Sequence, residues 1–235
     1  MKILVACEES QTVCSEFRAR GHEAYSCDIQ PCSGDHPEWH IKGDVIPVLD
    51  GYCDFVTEDG TPHRIGSEWD MIIAHPPCTY LTNGGAVQLF RKVVQEFPPY
   101  GTFQMTNIER LKKGIVARDF FLRCLNAKCE RIAVENPIPM SVYMLPKADQ
   151  IIQPYDFGEP YSKKTCLWLR GLPPLFSTVI VANKSPFING GVAEWTGQIT
   201  KARSLQPGAR TGARHSEGLP KQWRSNGDNE QILTN

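Results

Sequence analysis

A doubly wound, mostly parallel α/β sheet is the fold this sequence predicts, and three observations predict it. Short apolar runs alternate with helical patterns through residue 134, the pattern of a sheet covered by crossover helices. Four of those runs, Lys2–Cys7, Glu23–Asp28, 69–74 and 131–134, have the length of buried strands. Two of them end in chemistry-bearing turns, Pro76-Pro77-Cys78 and Glu135-Asn136-Pro137.

In chain order, the first strand leads into a helix over Gln11–Arg20, with Ser10 placed to cap it. The second strand ends in Asp28, and Gly43-Asp44-Val45 follows. The third, opened by Asp70, is stopped by Pro76-Pro77, because proline cannot donate to a sheet ladder. Cys78 then sits on a stiff turn just past a strand's C-terminal end, where open α/β sheets bind ligands. Residues 79–102 read as an insertion. Thr79–Gly85 is a flexible loop offering Thr82 and Asn83, and Phe97-Pro-Pro-Tyr-Gly101 breaks structure.

A helix from about Gln104 to Ala127 puts Ile108, Leu111, Ile115, Phe120, Phe121, Cys124 and Leu125 near one face. Arg110, Lys112, Lys113 and Arg118 fall mostly on the other. Strand, helix, strand implies a right-handed crossover and two parallel strands. Cys78 and Glu135 therefore leave the same sheet edge. A later strand lies within 162–174, entered through Lys163-Lys164-Thr165, and Thr178–Ala182 reads as another.

A thiol and a carboxylate in one cleft suit the chemistry of a cytosine ring. A thiolate adding to C6 turns C5 into a carbon nucleophile, and a carboxyl group at N3 stabilises the charge that develops. His75 precedes the two prolines and faces the same cleft, either as a base near the thiol or as a turn residue bonded to backbone.

The order Pro77-Cys78, then Glu135-Asn136, resembles the DNA cytosine-5 methyltransferases, of the compact kind found in phages and prophages. Pro137 stands where that family has valine. The resemblance covers roughly residues 1–175, a catalytic domain, and leaves 176–235 as a short extension. It implies a Rossmann-like fold that binds S-adenosyl-L-methionine, with Cys78 as nucleophile and Glu135 as its partner. Lys163 or Lys164 would stand in for the family's arginine beside the target base. It also implies a cofactor held near Cys7, Glu8, Ser10 and Pro76, with Asp28 on the ribose and Asp44 near the adenine. Substrate contacts would fall to His75, Pro77, Asn83, Asn136 and Pro137. The family's glycine-rich first turn has no counterpart: Cys7-Glu8-Glu9-Ser10-Gln11 contains no glycine, and none occurs before Gly21.

Composition narrows the partners. At 235 residues one catalytic domain is the default, and a formal net charge of −1 argues against a general polycation. Between Gln198 and Arg224, however, Lys201, Arg203, Arg210, Arg214, Lys221 and Arg224 face the single acid Glu217, a balance suited to phosphates. The remaining 60 residues leave no room for a large target-reading domain, so a short or relaxed DNA target, single-stranded DNA or a recognition partner is expected.

With no secretory leader and no run of membrane-spanning length, the expectation is a cytoplasmic protein without membrane contact. The nine cysteines then read as free thiols, with Cys7, Cys27, Cys124 and Cys166 in the core. Cys27, Cys32, His36 and His40 are spaced too tightly for the usual zinc site, and no metal is expected. Two other readings stay open. One is a modifying enzyme for a free pyrimidine nucleotide or another nucleic acid; the other is a non-catalytic relative that only binds nucleic acid or cofactor. An amino-methyltransferase fits poorly, because His75-Pro-Pro-Cys78 offers a thiol where those enzymes need an aromatic residue.

Overall fold

The structure, a computed structural model, describes residues 1–97 and 101–181, with side chains described outside 91–104. The basic segment 198–224 lies outside the described residues. Eleven strands and three α-helices are present among them: β1 (Lys2–Ala6), α1 (Thr12–Arg18), β2 (Glu23–Asp28), β3 (His40–Lys42), β4 (Cys53–Val56), β5 (Pro62–Ile65), β6 (Met71–Ala74), α2 (Ala86–Leu89), β7 (Phe90–Phe97), β8 (Gly101–Thr106), α3 (Ile108–Leu125), β9 (Ile132–Pro137), β10 (Gln150–Ile152) and β11 (Thr165–Arg170).

Seven strands form one mixed, mostly parallel sheet in the order β10-β11-β9-β6-β1-β2-β3. Five neighbours, β9-β6-β1-β2-β3, pair in parallel. Strand β11 runs antiparallel between β9 and β10 and is the one reversed strand of the seven. The chain builds outward from β1 through β2 to β3 and then returns to β6 on the other side of β1. The strand order therefore reverses between β1 and β6, the point at whose C-terminal edge open α/β sheets place a ligand crevice.

Alternation along the strands gives the sheet two apolar faces. Ile3, Val5, Ala24, Ile73 and Ala133 pack with Val13, Cys14 and Phe17 of α1. Leu4, Ala6, Cys27, Ile72, Ala74 and Val134 pack with Phe121 and Cys124 of α3. One helix thus covers each face. On the second, Phe121 meets Trp168 edge to face at 4.8 Å. At roughly 1.5–3 kcal/mol per fully buried large apolar side chain, these layers stabilise the sheet.

Several expectations need correction. Helix α3 starts at Ile108 because Asn107 caps it, its side chain accepting from the Arg110 amide at 3.1 Å, while 101–106 belongs to β8. Ile108 and Ile115 are 55% and 41% exposed, since the buried stripe runs through Gly114, Phe121 and Cys124. Thr79–Gly85 is ordered rather than a free loop: its backbone is bonded into a 3-10 turn over Asn83–Gly85. Residues 178–181 make only an isolated bridge, Val179 to Phe157, in place of a strand. Glu135, Asn136 and Pro137 are the last residues of β9 rather than its exit, because β11 pairs with them. Cys7 is half-buried, whereas Cys27, Cys124 and Cys166 are buried as expected. Among the described residues no helix is long and apolar enough to cross a membrane.

Candidate active site

The crevice has two walls, one built by β1 and β2, the other by β6, β9 and the start of β11. On the first wall the chain turns sharply at Cys7, whose amide donates to the Cys27 carbonyl at 2.7 Å. Cys7 and Gln11 both adopt left-handed backbone, φ 61° and 58°. The glycine-poor turn thus takes conformations that glycine would supply without strain, at roughly 1–2 kcal/mol for each non-glycine residue. Gln11 holds the N-cap position with no capping bond of its own, so Ser10 does not cap the helix; its hydroxyl lies 3.2 Å from that of Thr12.

The cap comes from Glu8. Its carboxylate, 1% exposed, accepts from the amides of Val13 at 2.6 Å and Cys14 at 3.1 Å. Glu8 is therefore turned into the fold, against the expectation that it meets a cofactor. Its negative charge sits on helix amides that would otherwise be open to an anion. Burial pushes the Glu8 carboxyl above its ordinary range, with His75 and the two amides pulling it back.

Asp28 and Asp44 stand side by side at the same corner, because the Gly43 amide donates to the Asp28 carbonyl at 2.8 Å. Each carboxylate accepts from a backbone amide two residues on, Gln30 and Ile46. Burial, then both acids, raise the Cys27 thiol to about 12. Burial also raises Cys7, helped by the same two acids. This wall is acidic and half-open.

On the second wall, the His75 amide donates to the Ala6 carbonyl at 2.9 Å, and Pro76 is buried behind it. The Asn136 side chain donates to the Pro76 carbonyl at 2.9 Å, so Asn136 clamps the Pro-Pro turn, and its own Oδ1 has no partner among the described residues. The Cys78 carbonyl accepts from the Leu81 and Thr82 amides, both at 3.0 Å. Thr82 then bridges Pro139, and the Asn83 amide donates to the Ile138 carbonyl at 3.0 Å. The Cys78 turn and the strand carrying Glu135 are thereby stitched together. Pro77 and the Asn83 side chain are exposed at the rim, and Pro137 is half-buried at the end of β9.

Cys78 and Glu135 come to one place. Burial raises the Cys78 thiol, the Glu135 charge raises it further, and Lys163 lowers it. Because β11 is reversed, its beginning lies at this edge, which brings Lys163 near the thiol. Lys164 is exposed, so the two lysines divide. Glu135 is 1% exposed, and neither carboxylate oxygen has a hydrogen-bond partner among the described residues. The His75 Nδ1 lies 3.7 Å from Glu135 Oε2.

The sequence reading overlooked Arg110. Its Nη2 donates to the Thr79 carbonyl at 2.7 Å, and its guanidinium lies 5.0 Å from the Tyr80 ring centroid. A Cβ on Gly85 would come within 2.5 Å of that guanidinium. The only signal was position, three residues after a helix-capping asparagine. The residues of the candidate zinc cluster are engaged separately. Cys32 donates to the Gln11 and Gly34 oxygens, His36 bonds Glu38, and His40 lies between Ser26 and the Gln30 carbonyl. Compared with known proteins, the chain matches no family model and no curated protein.

Proposed function

We propose that this chain is an S-adenosyl-L-methionine-dependent methyltransferase that places a methyl group on C5 of cytosine in DNA, on a doubly wound Rossmann-like sheet. The observation that carries the reading is the convergence of Cys78, Glu135 and Lys163 at the C-terminal edge of neighbouring strands. The raised thiol calls for a cation to form the thiolate, and Lys163 supplies it as a point charge.

The other wall suits the cofactor. Glu8 occupies the helix amides that would hold a pyrophosphate, which disfavours a dinucleotide. Asp28 and Asp44 give a negative corner that favours a sulfonium cation and a ribose. Here Cys7 and Ser10 line the cofactor turn with Pro76 behind them. When bound, S-adenosyl-L-methionine supplies the electrophilic methyl group.

The chain's own residues do the rest. Cys78, its thiol proton lost to water, bonds through Sγ to C6, and the C5–C6 π electron pair moves onto C5. Glu135 donates a proton or hydrogen bond at N3, where charge develops. Once C5 carries the methyl group, its proton leaves to water. The Sγ–C6 bond then breaks, and Glu135 recovers the proton at N3.

The deciding experiment is mass spectrometry of nucleosides from DNA incubated with the protein and labelled cofactor, beside free cytidine nucleotides as a second substrate. Expected are labelled 5-methylcytosine in DNA, a covalent adduct on a 5-fluorocytosine oligonucleotide, and loss of both in Cys78→Ser. Label only in the free nucleotide would move the substrate from DNA to a small molecule. Wild-type protein that neither binds the cofactor by calorimetry nor traps the oligonucleotide would overturn the reading.

A further inference from the structure

Glu135 is sealed from water, so the proton that it gives to a bound ring has to reach it from inside the fold. A titratable neighbour within 4 Å is His75. Both side chains are 1% exposed, and Nδ1 lies 3.7 Å from Oε2. Both ring nitrogens of His75, like both oxygens of Glu135, lack hydrogen-bond partners among the described residues. A histidine kept only for structure is ordinarily bonded to backbone, since a buried polar atom left unpaired costs about 1–3 kcal/mol. Four such atoms in one contact mark a place held for chemistry.

Charges face this pair from each element around it. Glu8, in the turn after β1, interacts with His75, and Glu9 acts on Glu8. Glu135 acts on Cys78, beyond the end of β6, and on Cys166 of β11, while Lys163 acts on Cys78. His75 thus interacts with two buried carboxylates. The two differ: Glu8 is held by helix amides, whereas Glu135 has no such bonds.

We propose that His75 is the internal proton partner of Glu135, a positioning residue that returns the carboxyl to its protonated form before each addition. The inference rests on the cytosine-methylation reading and adds a third group to it. The step is a proton transfer and nothing else: the Nδ1–H bond of the imidazolium breaks, an O–H bond forms on Glu135, and neutral imidazole and carboxylic acid remain. When Sγ leaves C6, the proton at N3 returns to Glu135 and from there to His75, so the pair ends as it began.

The test compares wild type, His75→Asn and His75→Gln on a 5-fluorocytosine oligonucleotide, measuring adduct formation in mixtures of light and heavy water. Expected is a fall of about 10²-fold in both variants, within the range for lost acid–base help. The dependence on deuterium content, curved in wild type for two moving protons, should become linear. Variants with the wild-type curvature would overturn the proposal. A second arm needs no activity: the ring ¹⁵N signals of His75 should move on Glu135→Gln, because the partner for the proton has gone. Unmoved signals would also overturn it. Wild-type protein that traps no cytosine would instead sink the methylation reading, with the nitrogen signals still deciding whether the pair shares a proton.

Discussion

Glu8 and Glu135 are equally buried, at 1% exposure, and interact with the same histidine, yet the fold treats them in opposite ways. Glu8 is bonded to two helix amides, as a structural carboxylate should be. Glu135 is enclosed and left without a partner. A buried polar group without a hydrogen bond costs stability, so a chain keeps one only where the rest of the structure over-determines it and something else uses it. The first wall of the crevice is therefore scaffold at its base, and the second is where reaction is expected.

The largest effect that tests this contrast is on rate. Glu135→Gln should slow methylation by ~10²–10⁴-fold, while Glu8→Gln should leave turnover within a few-fold, measured with labelled cofactor. Stability should run the other way. Glu8→Ala leaves two amides at the start of α1 unbonded and should cost about 2–3 kcal/mol in chemical denaturation. Glu135→Gln should be neutral or gain up to about 1 kcal/mol, since a charge is removed from a dry site. Loss of stability in Glu135→Gln comparable to Glu8→Ala would erase the distinction between the two walls.

Smaller effects sharpen it. Lys163→Met removes the cation that lowers the Cys78 thiol, so alkylation of Cys78 by iodoacetamide at neutral pH should slow several-fold. Wild-type alkylation should still climb with pH through the neutral range, because the thiol is raised above its ordinary 9.0. The smallest effect is a slope. Burial raises the Glu8 carboxyl above its ordinary 4.5, so the folded chain binds that proton more tightly than the unfolded one. Its contribution to stability is complete below pH 4.5 and declines as pH rises through the folded value. Glu8→Gln should flatten that decline in a pH series of denaturation curves.

Much of this was legible in the chain. Strands β1, β2, β6 and β9 declare themselves as apolar runs, and the helix between β6 and β9 fixes their parallel relation. That places Cys78 and Glu135 on one edge from the sequence alone. What could not be read depends on contacts distant in sequence. Short strands such as β3 and β10 carry three residues each and owe their form to the neighbours they pair with. The Glu8 cap needs Cys7 and Gln11 in left-handed conformations that their side chains do not advertise. Lys163 reaches the thiol only because β11 enters reversed, and no local pattern encodes strand direction.

That reversal has a consequence for how the site can change over generations. Strand β6 is followed by the turn that carries Cys78 and β9 carries Glu135 near its own end, whereas Lys163 lies in the segment that precedes β11. The far end of β11 is moored separately, Arg170 donating to the Ala127 and Cys129 carbonyls. Residues 159–164, beyond the buried Pro154 and Phe157, can therefore exchange their charge without moving the turn that carries Cys78 or the strand that carries Glu135. The cation beside the thiol is an exchangeable part, and directed evolution confined to that segment would retune thiol reactivity while leaving the other two groups where they are.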